Sequence, residues 1–312
     1  MPADRAGAEI GLGLAAIGRP GYINLGHGRD VEDVAVERME RAAHDVLDAA
    51  YEEGVRAFDA ARSYGRAEAF LASWLERRGL AAGEVQVSSK WGYSYTAGWR
   101  VEADEHEVKD LTAAQLQRQW RETSELLGEH VRLYQIHSAT IDSGVLEDRE
   151  VHAELAALRE RGVRIGLTVT GPRQAATIER ALETGGFDAV QATWNLHERA
   201  AGGALASARD AGLYVMVKEA LANGRLTARG GDPALTRAAR DRGTTEDVLA
   251  LSAALAQPWV DLVLSGAATV GQLRSNLAAR ELTWDDELER RLAGLVEEPD
   301  AYWATRAELP WN

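Results

Sequence analysis

Four polar side chains stand where short apolar runs end or shortly after: Asp59, Tyr64, Lys90 and His137. Asp59 closes the run 56–59, Lys90 closes 85–90 and His137 closes 133–137, while Tyr64 follows in Asp59-Ala-Ala-Arg-Ser-Tyr64-Gly65. Taken singly, each has an ordinary structural use. An Asp after a strand caps a helix, and a strand-end Lys reaches toward solvent. A Tyr beside Gly packs a turn, and a His after an apolar strand is commonly a hydrogen-bonded core residue. Together they suit one kind of chemistry. A phenol has an ordinary pKa of about 10, and an ammonium beside it favours the phenolate and lowers that value. A carboxylate paired with the ammonium would hold it charged and in place. An imidazole in reach can orient a carbonyl oxygen. The set can therefore protonate an alkoxide as it forms from a carbonyl, with the phenol as acid and the lysine as its tuner.

The elements that must position these groups alternate along the chain. Eight short, mostly apolar runs read as strands: 10–14, 56–59, 85–90, 133–137, 164–169, 189–192, 213–218 and 261–265. Such runs are expected of parallel strands buried on both faces. Amphipathic helical patterns lie between and after them, at 31–53, 67–78, 113–127, 151–161, 173–183, 201–211, 245–256 and 271–279. In the first, Val36, Met39, Ala43, Val46, Leu47 and Ala50 keep helical spacing, and Gly54 ends it. The alternation implies a parallel sheet with crossovers. At this length the expected α/β architecture is a (β/α)8 TIM barrel, with a doubly wound open sheet as the alternative. In such a barrel the working residues lie at the C-terminal ends of the strands. An extra C-terminal helix and tail should follow: Thr283 reads as a cap, with Trp284, Leu288, Leu292 and Leu295 as the apolar side. No linker or low-complexity tract divides the 312 residues, so 1–312 reads as one domain.

Bulk properties narrow the function classes. With 46% apolar and 27% charged residues, the chain is globular in composition. It has no cysteine, which excludes disulfides and thiolate metal sites. A formal charge of −14 argues against non-specific nucleic-acid binding and requires any phosphate to be met by locally arranged groups. No metal-ligand spacing stands out, and no metal is expected. The start of the chain lacks a basic region followed by a long apolar stretch. No run reaches the ~18 apolar residues of a membrane span. A cytoplasmic location is expected.

From Ile10 to about Asn276 the chain resembles the aldo-keto reductase family. The resemblance is carried by Gly11-Leu12-Gly13, by Asp59…Tyr64-Gly65…Glu68, by Lys90-Trp91-Gly92 and by Ile136-His137. Gln191-Ala-Thr-Trp-Asn195 and Gly266-Ala-Ala-Thr-Val-Gly-Gln272-Leu273-Arg-Ser-Asn276 continue it in order. The resemblance implies hydride transfer between a nicotinamide cofactor and a carbonyl or alcohol substrate. Tyr64 would be the general acid/base, Lys90 and Asp59 its tuning pair, and His137 the group that orients the carbonyl. Gln191 would bond the nicotinamide carboxamide. The pyrophosphate would lie under the loop 221–227, with Leu221 and Asn223. Gly266, Thr269, Gln272 and Asn276 would meet the adenosine phosphate end.

The chain departs from the family pattern at three places. Gly166-Leu167-Thr168-Val169 stands for the usual Gly-Val-Ser-Asn, so Thr168 keeps a hydroxyl and Val169 loses a polar contact. Lys218-Glu219 stands for the usual Tyr-Ser and reads as an ion pair. Ala268 and Gln272 stand where Arg or Lys often meets a 2′-phosphate, and Arg274 would point elsewhere on a helix. The resemblance alone keeps NADP(H) ahead of NAD(H).

The substrate is expected to be a small aldehyde, ketone or sugar-type polyol. The aromatic stretch 91–110 suggests Trp91, Tyr93, Tyr95 and Trp99 as pocket walls, and Tyr302, Trp303 and Trp311 in the tail could close the same mouth or form a subunit contact; packing of a long loop is the other use of such rings. Two rival signatures fail. Ala16 breaks a Gly-x-Gly-x-x-Gly, and Tyr214 and Lys218, four residues apart on a strand, would be ~13 Å apart. A cofactor-binding regulatory or interaction subunit with little turnover is the alternative function, and a barrel isomerase or lyase is a third.

Overall fold

The computed structural model describes residues 8–31 and 33–312. Residues 1–7, where a leader was sought, and residue 32, inside the first expected helix, lie outside the described residues. Among the described residues there are ten strands: β1 (Glu9–Gly13), β2 (Ala57–Asp59), β3 (Gln86–Trp91), β4 (Tyr93–Tyr95), β5 (Glu107–Lys109), β6 (Val131–Ala139), β7 (Arg164–Val169), β8 (Ala189–Thr193), β9 (Tyr214–Lys218) and β10 (Leu262–Ser265). Eight of them close into a barrel in the order β1-β10-β9-β8-β7-β6-β3-β2. Every pairing around it is parallel. The eight expected strands are all found, and the open-sheet alternative falls because β1 pairs with both β2 and β10.

Parallel strands need crossovers, and the helices supply them. The helices Ala67–Arg78 and Ala113–Leu127 have the bounds their sequence patterns suggested. The first long helix begins only at Val36, and buries Met39, Ala43, Val46, Leu47 and Ala50. That stripe lies against a core of barrel-strand residues such as Ile10, Leu12 and Phe58. The hydrophobic effect over such a stripe, at about 25 cal/mol per Å² of buried apolar surface, holds the helix on the barrel.

Three features differ from the sequence reading. The stretch after β3 is not an irregular loop, because β4 and β5 form an antiparallel hairpin, with Tyr93 opposite Lys109. A helix, Pro233–Asp241, precedes the one at Glu246–Leu255; Asp232 caps it and Pro233 opens it. The extra C-terminal helix spans Asp286–Leu292, and Asp285, not Thr283, caps it by accepting from Leu288 N at 2.9 Å. The tail then forms a helix of its own, Pro299–Ala307, opened by a proline. No helix among the described residues is long and apolar enough to cross a membrane.

Candidate active site

The C-terminal ends of the barrel strands open into a cavity of about 720 Å³. Asp59, Tyr64 and His137 line it, and Lys90 lies directly behind, with no exposed side-chain surface. Adjacent strands in register bring these groups together: Asp59 pairs with Ser88 across β2 and β3, and Lys90 with Gln135 across β3 and β6. Lys90 Nζ donates to Asp59 Oδ2 at 2.5 Å and to the Ala60 carbonyl at 2.8 Å. Ser88 Oγ at 2.6 Å and Gln135 Nε2 at 3.2 Å donate to the other Asp59 oxygen. Both members of the buried pair therefore have hydrogen bonds beyond the one they share, which is what makes a buried ion pair tolerable.

Tyr64 reaches the cavity because two chain segments cross closely. Arg66 N donates to the Gly18 carbonyl at 2.7 Å. A Cβ on Gly18 would stand 2.4 Å from the Tyr64 carbonyl oxygen. One on Gly65, which has a φ of +60°, would stand 2.6 Å from the Gly18 oxygen. Only glycines allow this crossing.

Lys90 Nζ lies 4.7 Å from the centre of the Tyr64 ring, and the Tyr64 and His137 rings meet edge to face at 5.6 Å. Tyr93, from the hairpin, packs on the other side of His137 at 5.0 Å. Burial pushes the Tyr64 phenol well above its usual value, and Asp59 adds to the rise. The net direction is thus opposite to the lowered phenol pKa expected from the sequence: desolvation and the nearby carboxylates outweigh the cation that lowers it, Arg19, while the Lys90 ammonium is engaged by Asp59 and Ala60. Burial, with Lys90 and Lys218 next in effect, pushes His137 well below its usual range, so the imidazole is neutral. Its Nδ1 has no partner among the described residues.

A second charged group stands beside this set. Glu219 accepts from Arg306 Nε at 3.0 and 2.9 Å and from Thr193 Oγ1 at 3.1 Å. Burial alone would raise its carboxyl, but Arg306 and Lys218 outweigh burial and hold it at about 2. Lys218 Nζ donates to Thr193 Oγ1 at 2.9 Å and stands 3.9 Å from Glu219. Burial brings the Lys218 ammonium down to about 8. The expected Lys218–Glu219 pair is therefore a triad, with Arg306 from the last helix as the main partner. Arg19 is likewise buried, donating to the Ser63 carbonyl at 3.0 Å and to Glu107 Oε1 at 2.5 Å.

Of the expected cofactor residues, Gln191, Lys218, Leu221, Asn223, Gly266, Gln272 and Asn276 line the cavity. Thr168 and Thr269 do not. Thr168 Oγ1 accepts from Ser138 N at 2.7 Å, holding the end of β6, and Thr269 Oγ1 caps the helix Val270–Leu277 by accepting from Gln272 N at 3.2 Å. Of the expected substrate residues, Tyr93 and Trp311 line the cavity. Trp91 and Trp303 are buried in the core. Trp99 packs on Phe70 and donates to the Val34 carbonyl at 2.7 Å. These three rings do the packing work that large apolar surfaces demand.

Sequence reasoning missed Arg19, Glu107, Arg306, Glu246 and Asp247 as lining residues. The last two had a visible signal, because Thr245-Glu246-Asp247 reads as a helix start, and helices that follow barrel strands begin near the mouth. Ser138, Glu219 and Asn223 line the cavity with φ of 56°, 55° and 55°. Such non-glycine residues in the left-handed region concentrate at functional sites.

Besides Arg19 Nε and His137 Nδ1, two buried polar atoms of lining residues lack protein partners among the described residues: Gln191 Nε2 and Asn223 Oδ1. A polar ligand with acceptor and donor groups would satisfy both. No group of three or more metal-binding side chains comes together among the described residues.

Comparison with known proteins agrees with this geometry. The aldo/keto reductase family model matches residues 9–297. Among curated proteins the chain has no match. An aldo-keto reductase of Bacillus halodurans, solved in its holo form, is 20% identical over 95% of each chain, with a TM-score of 0.72. A glycerol dehydrogenase of Gluconobacter oxydans is 21% identical over 94% of this chain and 92% of its own, with a TM-score of 0.70. A Pseudomonas aeruginosa protein assigned as an aldo-keto reductase is 27% identical over 89% of this chain and 91% of its own, with a TM-score of 0.63. With the family model spanning the barrel and the polar groups gathered at its mouth, the chain belongs to the aldo/keto reductase family.

Proposed function

We propose that the protein transfers a hydride between a nicotinamide dinucleotide and the carbonyl or alcohol carbon of a small aldehyde, ketone or sugar-type substrate, with Tyr64 as proton donor and acceptor. The observation that carries this reading is the convergence of Tyr64, His137 and the Lys90–Asp59 pair on one cavity. The volume of about 720 Å³ is in the range of pockets that enclose ligands of this size. The unpartnered amide of Gln191 suits the carboxamide of the nicotinamide, and Asn223 suits the linking groups beyond it. The choice between NADP(H) and NAD(H) depends on the charges at the far end of the cavity.

The bound coenzyme supplies or accepts the hydride. The chain's own residues handle the oxygen and its proton. The neutral imidazole of His137 donates a hydrogen bond that fixes the carbonyl oxygen near the phenol. Tyr64, kept protonated by burial, gives its proton as negative charge develops on that oxygen. The Lys90 ammonium, 4.7 Å from the ring centre, stabilises the phenolate as it forms. Asp59 holds the ammonium in place. In the direction of oxidation the same phenol must first lose its proton. Alcohol oxidation is therefore expected to rise with pH over a range where carbonyl reduction stays flat.

The test is a panel of aldehydes, ketones and sugars with NADH and NADPH, followed by Tyr64→Phe. Reduction should fall by about 10²–10⁴-fold in the variant while coenzyme binding is retained. Coenzyme binding with no turnover of any carbonyl would instead favour a regulatory or interaction subunit.

A further inference from the structure

Resting on the coenzyme reading above, one chemical choice remains: whether the adenosine ribose carries a free 2′-hydroxyl or a 2′-phosphate. With the reacting ring at Tyr64 and His137, the adenosine must lie away from them in the same cavity. The lining continues past Asn223 and Gly224 to Gln272, Ser275 and Asn276, where Glu246 and Asp247 face it.

The charges at that end are unfavourable to a second phosphate. A 2′-phosphate monoester carries about −1.5 to −2 at neutral pH and is held by arginine or lysine. The cation lining this end is Arg229, and it is already engaged: its guanidinium donates to both oxygens of Asp30, at 2.7 and 2.5 Å, and to the Leu25 carbonyl at 2.8 Å. Arg274 does not line the cavity; it is exposed and reaches Glu53 at 3.5 Å. Gln272, in the place where the family often carries a cation, turns its Oε1 to Ala268 N at 2.9 Å.

The carboxylates are built in. Glu246 and Asp247 occupy the first turn of the helix Glu246–Leu255, where the helix dipole favours negative charge. Glu246 Oε1 accepts from Thr236 Oγ1 at 2.8 Å, and Asp247 Oδ2 accepts from Ser275 Oγ at 2.6 Å. Each carboxylate has further lone pairs for a donor. A ribose diol brings hydroxyl donors; a phosphate brings only more negative charge. Elsewhere along the same cavity, the nine-tenths-buried Gln191 Nε2 and Asn223 Oδ1 lack protein partners, as a polar ligand running through to this end would require.

We propose that the protein selects NAD(H) over NADP(H), with Asp247 and Glu246 as the specificity-determining residues. They accept hydrogen bonds from the free ribose diol and repel a 2′-phosphate. On this proposal the precedence that the sequence resemblance lent NADP(H) passes to NAD(H), because the carboxylates come from a helix start some twenty residues before the phosphate-end motif and only the barrel brings the two together.

The experiment is direct titration of the full-length protein with NADH and with NADPH, read by quenching of tryptophan fluorescence, so that no substrate is needed. NADH should bind at least about tenfold more tightly, or about 1.4 kcal/mol. Raising the ionic strength should narrow that ratio, since charge repulsion at a partly exposed site is screened. The double variant E246Q/D247N should bring NADPH to within about threefold of NADH, a change of about 0.65 kcal/mol from equality. Gln272→Arg, which adds a cation without touching the acids, should raise NADPH affinity by itself and keeps the test valid if the double variant misfolds. Equal or tighter NADPH binding by the unaltered protein, or a ratio unmoved by both variants, overturns the proposal. Failure of both coenzymes to bind overturns it together with the coenzyme reading, whereas a reversed ratio overturns it alone.

Discussion

The two ends of the cavity handle charge in opposite ways. At the tetrad end, each carboxylate is matched: Asp59 by Lys90, Glu107 by Arg19, and Glu219 by Arg306. These groups are largely out of water, so an unmatched charge there would cost several kcal/mol. At the far end, Glu246 and Asp247 are half-buried, accept hydrogen bonds from the Thr236 and Ser275 hydroxyls rather than from a cation, and sit on a helix N-terminus. The contrast teaches that burial decides what a charge can be used for. Deep charges must be paired and so serve to position and polarise. Shallow ones can stay unpaired and so serve to accept or reject a ligand.

Breaking a deep pair should therefore have the largest effect. Lys90→Met leaves Asp59 buried without its cation and should destabilise the protein by about 3–5 kcal/mol, read from the denaturant midpoint. If the midpoint moves by less than ~1 kcal/mol, the pair is less desolvated than its burial implies. Arg306→Met strips Glu219 of its main partner and should raise that carboxyl from about 2 while lowering stability by a smaller amount, since Lys218 and Thr193 remain. The check is a shift to higher pH of the acid unfolding midpoint.

A pH effect comes next. His27 is fully buried and pushed down to about 4, and His137 is pushed down as well. The unfolded chain takes up these protons near 6.5, whereas the native protein does not. The stability they contribute is thus complete above pH 6.5 and is lost as the pH falls toward 4. His27→Leu should flatten that fall in denaturation curves taken across the window; an unchanged slope would mean that other groups control it. The smallest effect belongs to the far end, where Asp247→Asn should leave stability within about 0.5 kcal/mol while changing coenzyme preference.

Much of this molecule was legible from residue order. The eight barrel strands appear because parallel strands buried on both faces must be short and apolar. Asp59, Lys90 and His137 stand out because each ends such a run, and Tyr64 because Gly65 follows it. Less legible was whatever depended on contacts distant in sequence. Trp91, Trp99 and Trp303 look alike as aromatic residues in loops, yet packing alone decided that they fill the core or the flank while Tyr93 faces the cavity. The helix Pro233–Asp241 was missed because its apolar side is thin, with Leu235, Ala238 and Ala239 buried, and its Asp232-Pro233 start was the better signal.

Residue order by itself determined the repeating strand–helix pattern, the family motifs and the identity of the four groups at the strand ends, because periodicity and position are local properties. Tertiary structure decided the ionisation of Tyr64 and His137 and the company the charged groups keep. It raised the Tyr64 phenol where an adjacent lysine had suggested the reverse, gave Glu219 to Arg306 across 87 residues, and set Asp247 against Ser275. The physical reason is that desolvation and Coulomb interaction depend on distance in space and on the exclusion of water, and neither quantity exists until the barrel has closed.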